Sequence, residues 1–186
     1  MKKYTLYFVF FFNIFCTKAQ PYTTQCIDNA TQLVNILVNG VPFSNATISG
    51  FDCSTGSFDS PNPGDGLGIE SGLMMATDGL LGNGSGPGSI EPDLTQQLQI
   101  IGASATNVNN VIVLEFDFEP NSDQIAFEYV FASYEYPGYT CSNFNDIFGF
   151  FLSGPGINGP FQNEAVNIAL VPDPNNPGQY TDTPVI

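Results

Sequence analysis

The chain has 186 residues, with 18 Asp and Glu against only 3 Lys and Arg, no His, and a formal net charge of −15. Nothing in it can neutralise a run of phosphates, so nucleic acid is excluded as an electrostatic partner, and an anionic membrane surface repels it. The absence of histidine removes Ser-His and Cys-His catalysis and any imidazole metal site.

Residues 1–19 read as a cleaved leader. Lys2 and Lys3 make a positive start, "YTLYFVFFFNIFC" is apolar but too short to span a bilayer, and Thr17 and Ala19 are the small residues wanted before a cut. A lipidated Cys16 is the rival reading, but Phe15 stands where such sites want a small residue. Cleavage after Ala19 leaves 167 residues, enough for one domain with its own core. All three basic residues, Lys2, Lys3 and Lys18, leave with the leader, so the mature chain carries 18 acids and no cationic side chain. No side-chain salt bridge can form in it. Each buried carboxylate then needs a hydrogen bond, a metal ion or a raised pKa. No later segment is apolar enough for membrane insertion of the mature chain.

Three cysteines remain after Cys16: Cys26, Cys53 and Cys141. In an oxidising compartment this odd number means one pair and a free thiol, or a partner beyond residue 186. Which two pair is open. The chain stops at "YTDTPVI", inside what reads as a strand, so 20–186 reads as a single domain incomplete at its C-terminus.

In chain order, "DNATQLVNILV" (28–38) is the one clear helix, with Asp28 or Asn29 as cap and Leu33, Ile36 and Leu37 as its apolar stripe. Residues 45–52 read as a strand, 56–72 as an irregular loop, and 72–79 as a short buried strand closed by Asp78-Gly79. Residues 80–93 read as flexible by composition, and "LTQQLQIIG" (94–102) leans towards helix. "NNVIVLEFDFEP" (109–120) alternates with Ile112, Leu114, Phe116 and Phe118 on one face. "DQIAFEYVFAS" (123–133) alternates again, with Ile125, Phe127, Tyr129 and Phe131 inward. "DIFGFFLSG" (146–154) is apolar on both faces, as in a central strand, and "EAVNIALVP" (164–172) is a further strand. The pattern predicts an all-β fold, an antiparallel β-sandwich or jelly-roll-like domain with one short N-terminal helix and long Gly/Pro/Asn-rich loops.

The short motifs are weak. The glycines of 64–72 lack phosphate-loop spacing, and "GNGSGPG" misses the nucleophile-elbow pattern and has no histidine to serve it. "DPNNPG" (173–178) starts like a calcium loop, but Pro184 stands where the bidentate glutamate belongs. Asn29, Asn45 and Asn83 head N-x-S/T triplets.

Acids supply the remaining chemistry. Glu128 with Glu135, or Glu135 with Asp146, is a candidate pair for glycoside hydrolysis by two carboxylates, one protonated and one ionised. Calcium fits better, because Asp65, Asp93, Glu135, Asn145 and Asp146 lie in or beside loops and offer hard oxygen ligands. Glu135, Asn145 and Asp146 form the favoured metal set, with Ca2+ as the cofactor. In the same "YEYPGYTCSNFND" turn, Tyr134, Tyr136 and Tyr139 form a candidate stacking platform for a carbohydrate.

The block "VIVLEFDFEPNSDQIAFEYVFASYEYPGYTCSNFNDIFGFFLSGPG", followed by "NIALVP", resembles the choice-of-anchor L domain family of secreted bacterial proteins. "LGIESGLMMATDG" and "PDL" upstream match the family's order of elements, and the likeness covers residues 31–186. Tyr134 stands where the family usually has an acid, and Gly138 where one is common. The resemblance implies a non-catalytic module of exported, cell-surface proteins, often of Bacteroidetes, within a larger multidomain protein. The expected role is adhesive or structural, towards a surface glycan or a protein, with calcium as a stabiliser. Carbohydrate binding is the alternative, and a carboxylate hydrolase stands behind both.

Overall fold

The computed structural model describes residues 3–9, 23–60, 68–82, 84, 86, 88–89, 91–100, 102, 108–133, 138, 146–173, 175–176 and 180–184. Among these residues the chain is mainly strands in antiparallel sheets, with two short helices.

The first strand, β1 (Tyr4–Val9), lies inside the stretch read as a leader. It is followed by β2 (Thr23–Cys26) and helix α1 (Ala30–Leu37). Asn29 decides the start of α1, because its side-chain oxygen accepts the N–H of Gln32 at 3.0 Å. Leu33 and Val34 are fully buried on this helix, whereas Ile36 is 37% exposed. Of the expected stripe, Leu33 is buried and Leu37 packs against the same core, and only Ile36 is corrected. The helix packs on the strands Phe43–Ser49, Thr55–Asp59 and Ser71–Met75, and that packing turns Val34 inward and Ile36 outward.

Strand β3 (Phe43–Ser49) leads to β4 (Thr55–Asp59) and β5 (Ser71–Met75). Strands β2, β4 and β5 form a three-stranded sheet in the order β2-β4-β5. The loop expected over 56–72 thus opens with a strand. Its Gly and Ser residues have little strand preference, but pairing on both sides holds β4 extended. Cys26 and Cys53 are joined by a disulfide, with Cα atoms 5.0 Å apart, and it clips the end of β2 to the turn before β4. The buried Thr55 hydroxyl reinforces the clip by donating to the Ile27 carbonyl at 2.6 Å.

Two short pieces, β6 (Gly88–Ser89) and β7 (Val108–Asn109), pair with each other and flank α2 (Pro92–Ile100). Pro92 supplies a first helical residue with no N–H to satisfy, and the carboxylate of Glu91 accepts the Leu94 N–H at 2.6 Å. Burial pushes the Glu91 carboxyl above its ordinary range; the Leu94 hydrogen bond opposes this and the charge of Asp93 adds to it.

Strand β8 (Val113–Phe118) buries Leu114, Phe116 and Phe118 on one face, as its alternation predicts. After it come β9 (Gly149–Ser153), β10 (Val166–Asn167), β11 (Leu170–Pro172) and β12 (Tyr180–Pro184). A five-stranded sheet has the order β10-β9-β1-β8-β3, and β11 pairs with β12 alone. The single strand expected over 164–172 is divided. Asn167 ends β10, and its side-chain oxygen accepts the N–H groups of Phe150 at 3.0 Å and Ala169 at 2.9 Å. A side chain thereby replaces a rung of the ladder and turns the backbone.

The larger sheet is covered on both faces. Leu33 and Val34 of α1 and Met75 of β5 pack with Leu114, Phe116, Phe118, Phe148 and Phe150 on one side. Leu94 and Leu98 of α2 meet Ile147, Phe151, Phe161 and Ala165 on the other. Strand β9 is apolar on both faces for that reason.

One expected strand is not a strand. Residues 124–133 join no sheet, although Phe127, Tyr129 and Phe131 pack against the first core cluster. Ile125, expected inward, is 43% exposed. The physical reason is occupancy, since β1 pairs with β8 on one side and β9 on the other and leaves no edge between them.

Candidate functional site

Residues 124–133 follow β8 in the chain, and 146–148 lead directly into β9. Phe127 stands edge-on to Phe150 at 4.8 Å, Tyr129 lies 5.5 Å from Phe148, and Phe131 stacks on Phe148 at 4.8 Å. These rings anchor the segment on the core, each contact adding to the area it buries. The chain then reaches Ser133, whose hydroxyl donates to the Asp146 carboxylate. Ser133 and Asp146 are half-buried and close the neck of the intervening segment. Immediately beyond Asp146 the buried Ile147 and Phe148 return the chain to the core.

The residues inside that neck include most of those singled out in the sequence. Tyr134, Glu135, Tyr136, Tyr139, Cys141 and Asn145 lie outside the described residues, as does Asp65. Of the expected metal set only Asp146 is described, with one carboxylate oxygen accepting from Ser133. Among the described residues no group of three or more His, Cys, Asp or Glu is placed to hold a metal ion.

Other flagged acids have their own places. Asp93 is 3% exposed and accepts the Gln162 N–H at 2.8 Å, joining α2 to the 3-10 turn at Gln162–Glu164. Asp173 folds back on its own loop, accepting from the Asn176 side chain at 2.7 Å and the Asn175 N–H at 2.8 Å. Those bonds, the Asn176 side chain first, hold its carboxyl below the ordinary range. Two of the triplet asparagines are structural. Asn29 caps α1. Asn45 adopts φ 55° at the irregularity between Ser44 and Thr47 and donates to Asp117 across to β8 at 2.6 Å.

A cleft of about 470 Å³ lies beside the segment, and its lining includes Ile36, Phe58, Leu73, Glu128 and Tyr129. It is mostly apolar with one carboxylate at its margin, a composition suited to apolar or aromatic groups rather than anions. The sequence reading missed this cleft because Phe58 belongs to the strand hidden in an apparent loop. It missed Ser133 as well, since a lone serine closing a strand pattern carries no signal of a partner 13 residues on.

Among the described residues, no helix is long and apolar enough to cross a membrane. Compared with known proteins, residues 20–183 match the family model described as Choice-of-anchor L domain. No curated protein matches the chain, and no solved structure does.

Proposed function

Because the chain belongs to the Choice-of-anchor L domain family over residues 20–183, we propose that it is a non-catalytic module of an exported, surface-associated protein, adhesive or structural in role. That family match carries the reading. It begins at Gln20, the first residue after the leader read from the sequence, and a cation-free mature chain agrees with a working place outside the cell. The antiparallel sheets, packed through shared apolar clusters, support a sandwich as the architecture of the module.

The contact surface in this proposal is the segment closed by Ser133 and Asp146. Its three tyrosines, Tyr134, Tyr136 and Tyr139, offer aromatic faces, and Glu135, Asn145 and Asp146 offer oxygen ligands for a stabilising calcium ion. A carbohydrate is the alternative ligand, favoured by the three tyrosines of the sequence.

The test has three readings. Expression of the full chain in a bacterial host, followed by fractionation and N-terminal sequencing, should give an exported product starting at Gln20. An uncut chain retained in the cytoplasm rejects the export reading. Calcium should raise the melting temperature of the exported product and chelator should reverse the rise; an unchanged melting curve removes the ion. A glycan array with no bound sugar removes the carbohydrate alternative.

A further inference from the structure

Export with cleavage after Ala19 has a structural consequence, and the inference below rests on that reading. Strand β1 occupies the centre of the five-stranded sheet, antiparallel to β8 and to β9. Its removal bares two facing strand edges in the middle of the core. Buried backbone groups without partners are costly, and open edges invite pairing.

One segment of the same chain fits the vacated place in direction, pattern, position and turn. Strands β8 and β9 are both antiparallel to β1, so they run parallel to each other. The chain leaves β8 at Phe118 and re-enters the sheet at Gly149, and the 123–133 segment is the stretch that can cross between them in the opposite sense. Ile125, Phe127, Tyr129 and Phe131 alternate along it. Leu114, Phe116 and Phe118 of β8, and Phe148, Phe150 and Leu152 on and beside β9, all belong to one core cluster. Phe127, Tyr129 and Phe131 already touch that cluster through Phe148 and Phe150.

The turn is present as well. Glu119-Pro120-Asn121-Ser122 has proline at the second position, which favours a tight reversal. A four-residue turn sets Asp123 opposite Phe118 and Ile125 opposite Phe116. The spacing seen across β1, where Leu6 pairs with both Phe116 and Leu152, then sets Ile125 opposite Leu152, Phe127 opposite Leu114 and Phe150, and Tyr129 opposite Phe148. Two cavities, of about 470 Å³ and 340 Å³, have Ala126 and Phe127 of the segment in their linings.

We propose that residues 123–131 form the central strand of the mature domain, entering between β8 and β9 in the place β1 holds while the leader is attached. Leader removal thus exchanges one strand for another within the same sheet. The exchange buries Ile125 and draws the stretch leading to Ser133 into the sheet.

The experiment compares hydrogen exchange in the full chain, with a site-specific protease sequence placed after Ala19, before and after cleavage and removal of the leader. Before cleavage, residues 4–9 are protected and 125–131, which join no sheet, exchange faster than they do. Afterwards, amides of 125–131 slow by about 100-fold or more, as in core strands. Unchanged exchange at 125–131 overturns the proposal, and so does general loss of protection, which would make β1 indispensable. Protection that appears only at concentrations giving dimers also overturns it, because a second copy would then supply the strand. As a second measure, Glu128→Pro, at a position exposed while the segment lies outside the sheet, lowers the melting temperature of the cleaved chain and not that of the full chain; an equal effect in both refutes the exchange. Protease cleavage in vitro makes this test independent of whether a cell exports and cuts the chain.

Discussion

The Ser133 hydroxyl and the Asp146 carboxylate are hydrogen-bonded across the neck of the segment they bracket. Ser133 follows a stretch anchored by Phe127, Tyr129 and Phe131, and Asp146 precedes the buried Ile147 and Phe148. The bond joins two core-anchored ends. Replacing Ser133 by Ala or Asp146 by Ala should each cost about 1–2 kcal/mol in urea unfolding, as for a half-buried hydrogen bond with a charged acceptor. In a double-mutant cycle the two losses should not add, with a coupling of about 0.5 kcal/mol or more. Additive losses would mean that each residue acts through other partners.

The Cys26–Cys53 disulfide closes a loop spanning a sequence separation of 27 and joins the three-stranded sheet to its entry turn. Its removal by Cys26→Ser with Cys53→Ser should destabilise the chain by about 2–4 kcal/mol. Peptide mapping without reductant should recover the Cys26–Cys53 pair. A Cys141 pairing in its place would contradict the observed bridge.

Asn167 holds two backbone N–H groups at once, those of Phe150 and Ala169, and its amide nitrogen donates to the buried Gln97 at 3.2 Å. Asn167→Ala should therefore be among the most damaging polar substitutions. Leaving a buried donor unsatisfied costs about 1–3 kcal/mol, and two donors are exposed to that loss here. Gln97→Ala, which removes one acceptor, should cost less. Equal losses in guanidinium unfolding would argue against this ranking.

Glu91 gives a pH dependence with a defined sign. Its folded-state pKa is raised, chiefly by burial, so the folded form holds the proton more tightly than the unfolded form. The stability it contributes is complete below the ordinary value of 4.5 and is lost as pH rises through the folded value. Glu91→Gln keeps an acceptor for the Leu94 N–H without the charge. The stability of Glu91→Gln relative to the parent should rise between pH 4 and pH 7. A difference that stays flat or falls over that range would show that the capping charge outweighs burial.

Part of the structure was legible because local chemistry and tertiary packing agree. The Leu114, Phe116 and Phe118 alternation reads as a half-buried strand and is one. The two-faced apolarity around Phe148, Phe150 and Phe151 reads as a central strand, and separate clusters lie on its two sides. Other features carry no local signal. Thr55–Asp59 looks like a loop, since Gly56 and Ser57 favour none of the regular structures, and it is extended only because β2 and β5 flank it. Asn167 breaks a strand pattern through a bond to Phe150, 17 residues away in sequence.

By itself the sequence determined the acidic, histidine-free chemistry and the strand-rich class, and its motifs carried the likeness to the family. These follow from which residues are present and from alternation along a few of them. The tertiary structure decided which cysteines join, which face of α1 is buried, and which segment pairs between β8 and β9. Each of those is a competition between distant parts of the chain for one partner. The run 123–133 shows the difference most plainly: its alternation states that it can be a strand, and only the occupant of the neighbouring edges decides whether it is one.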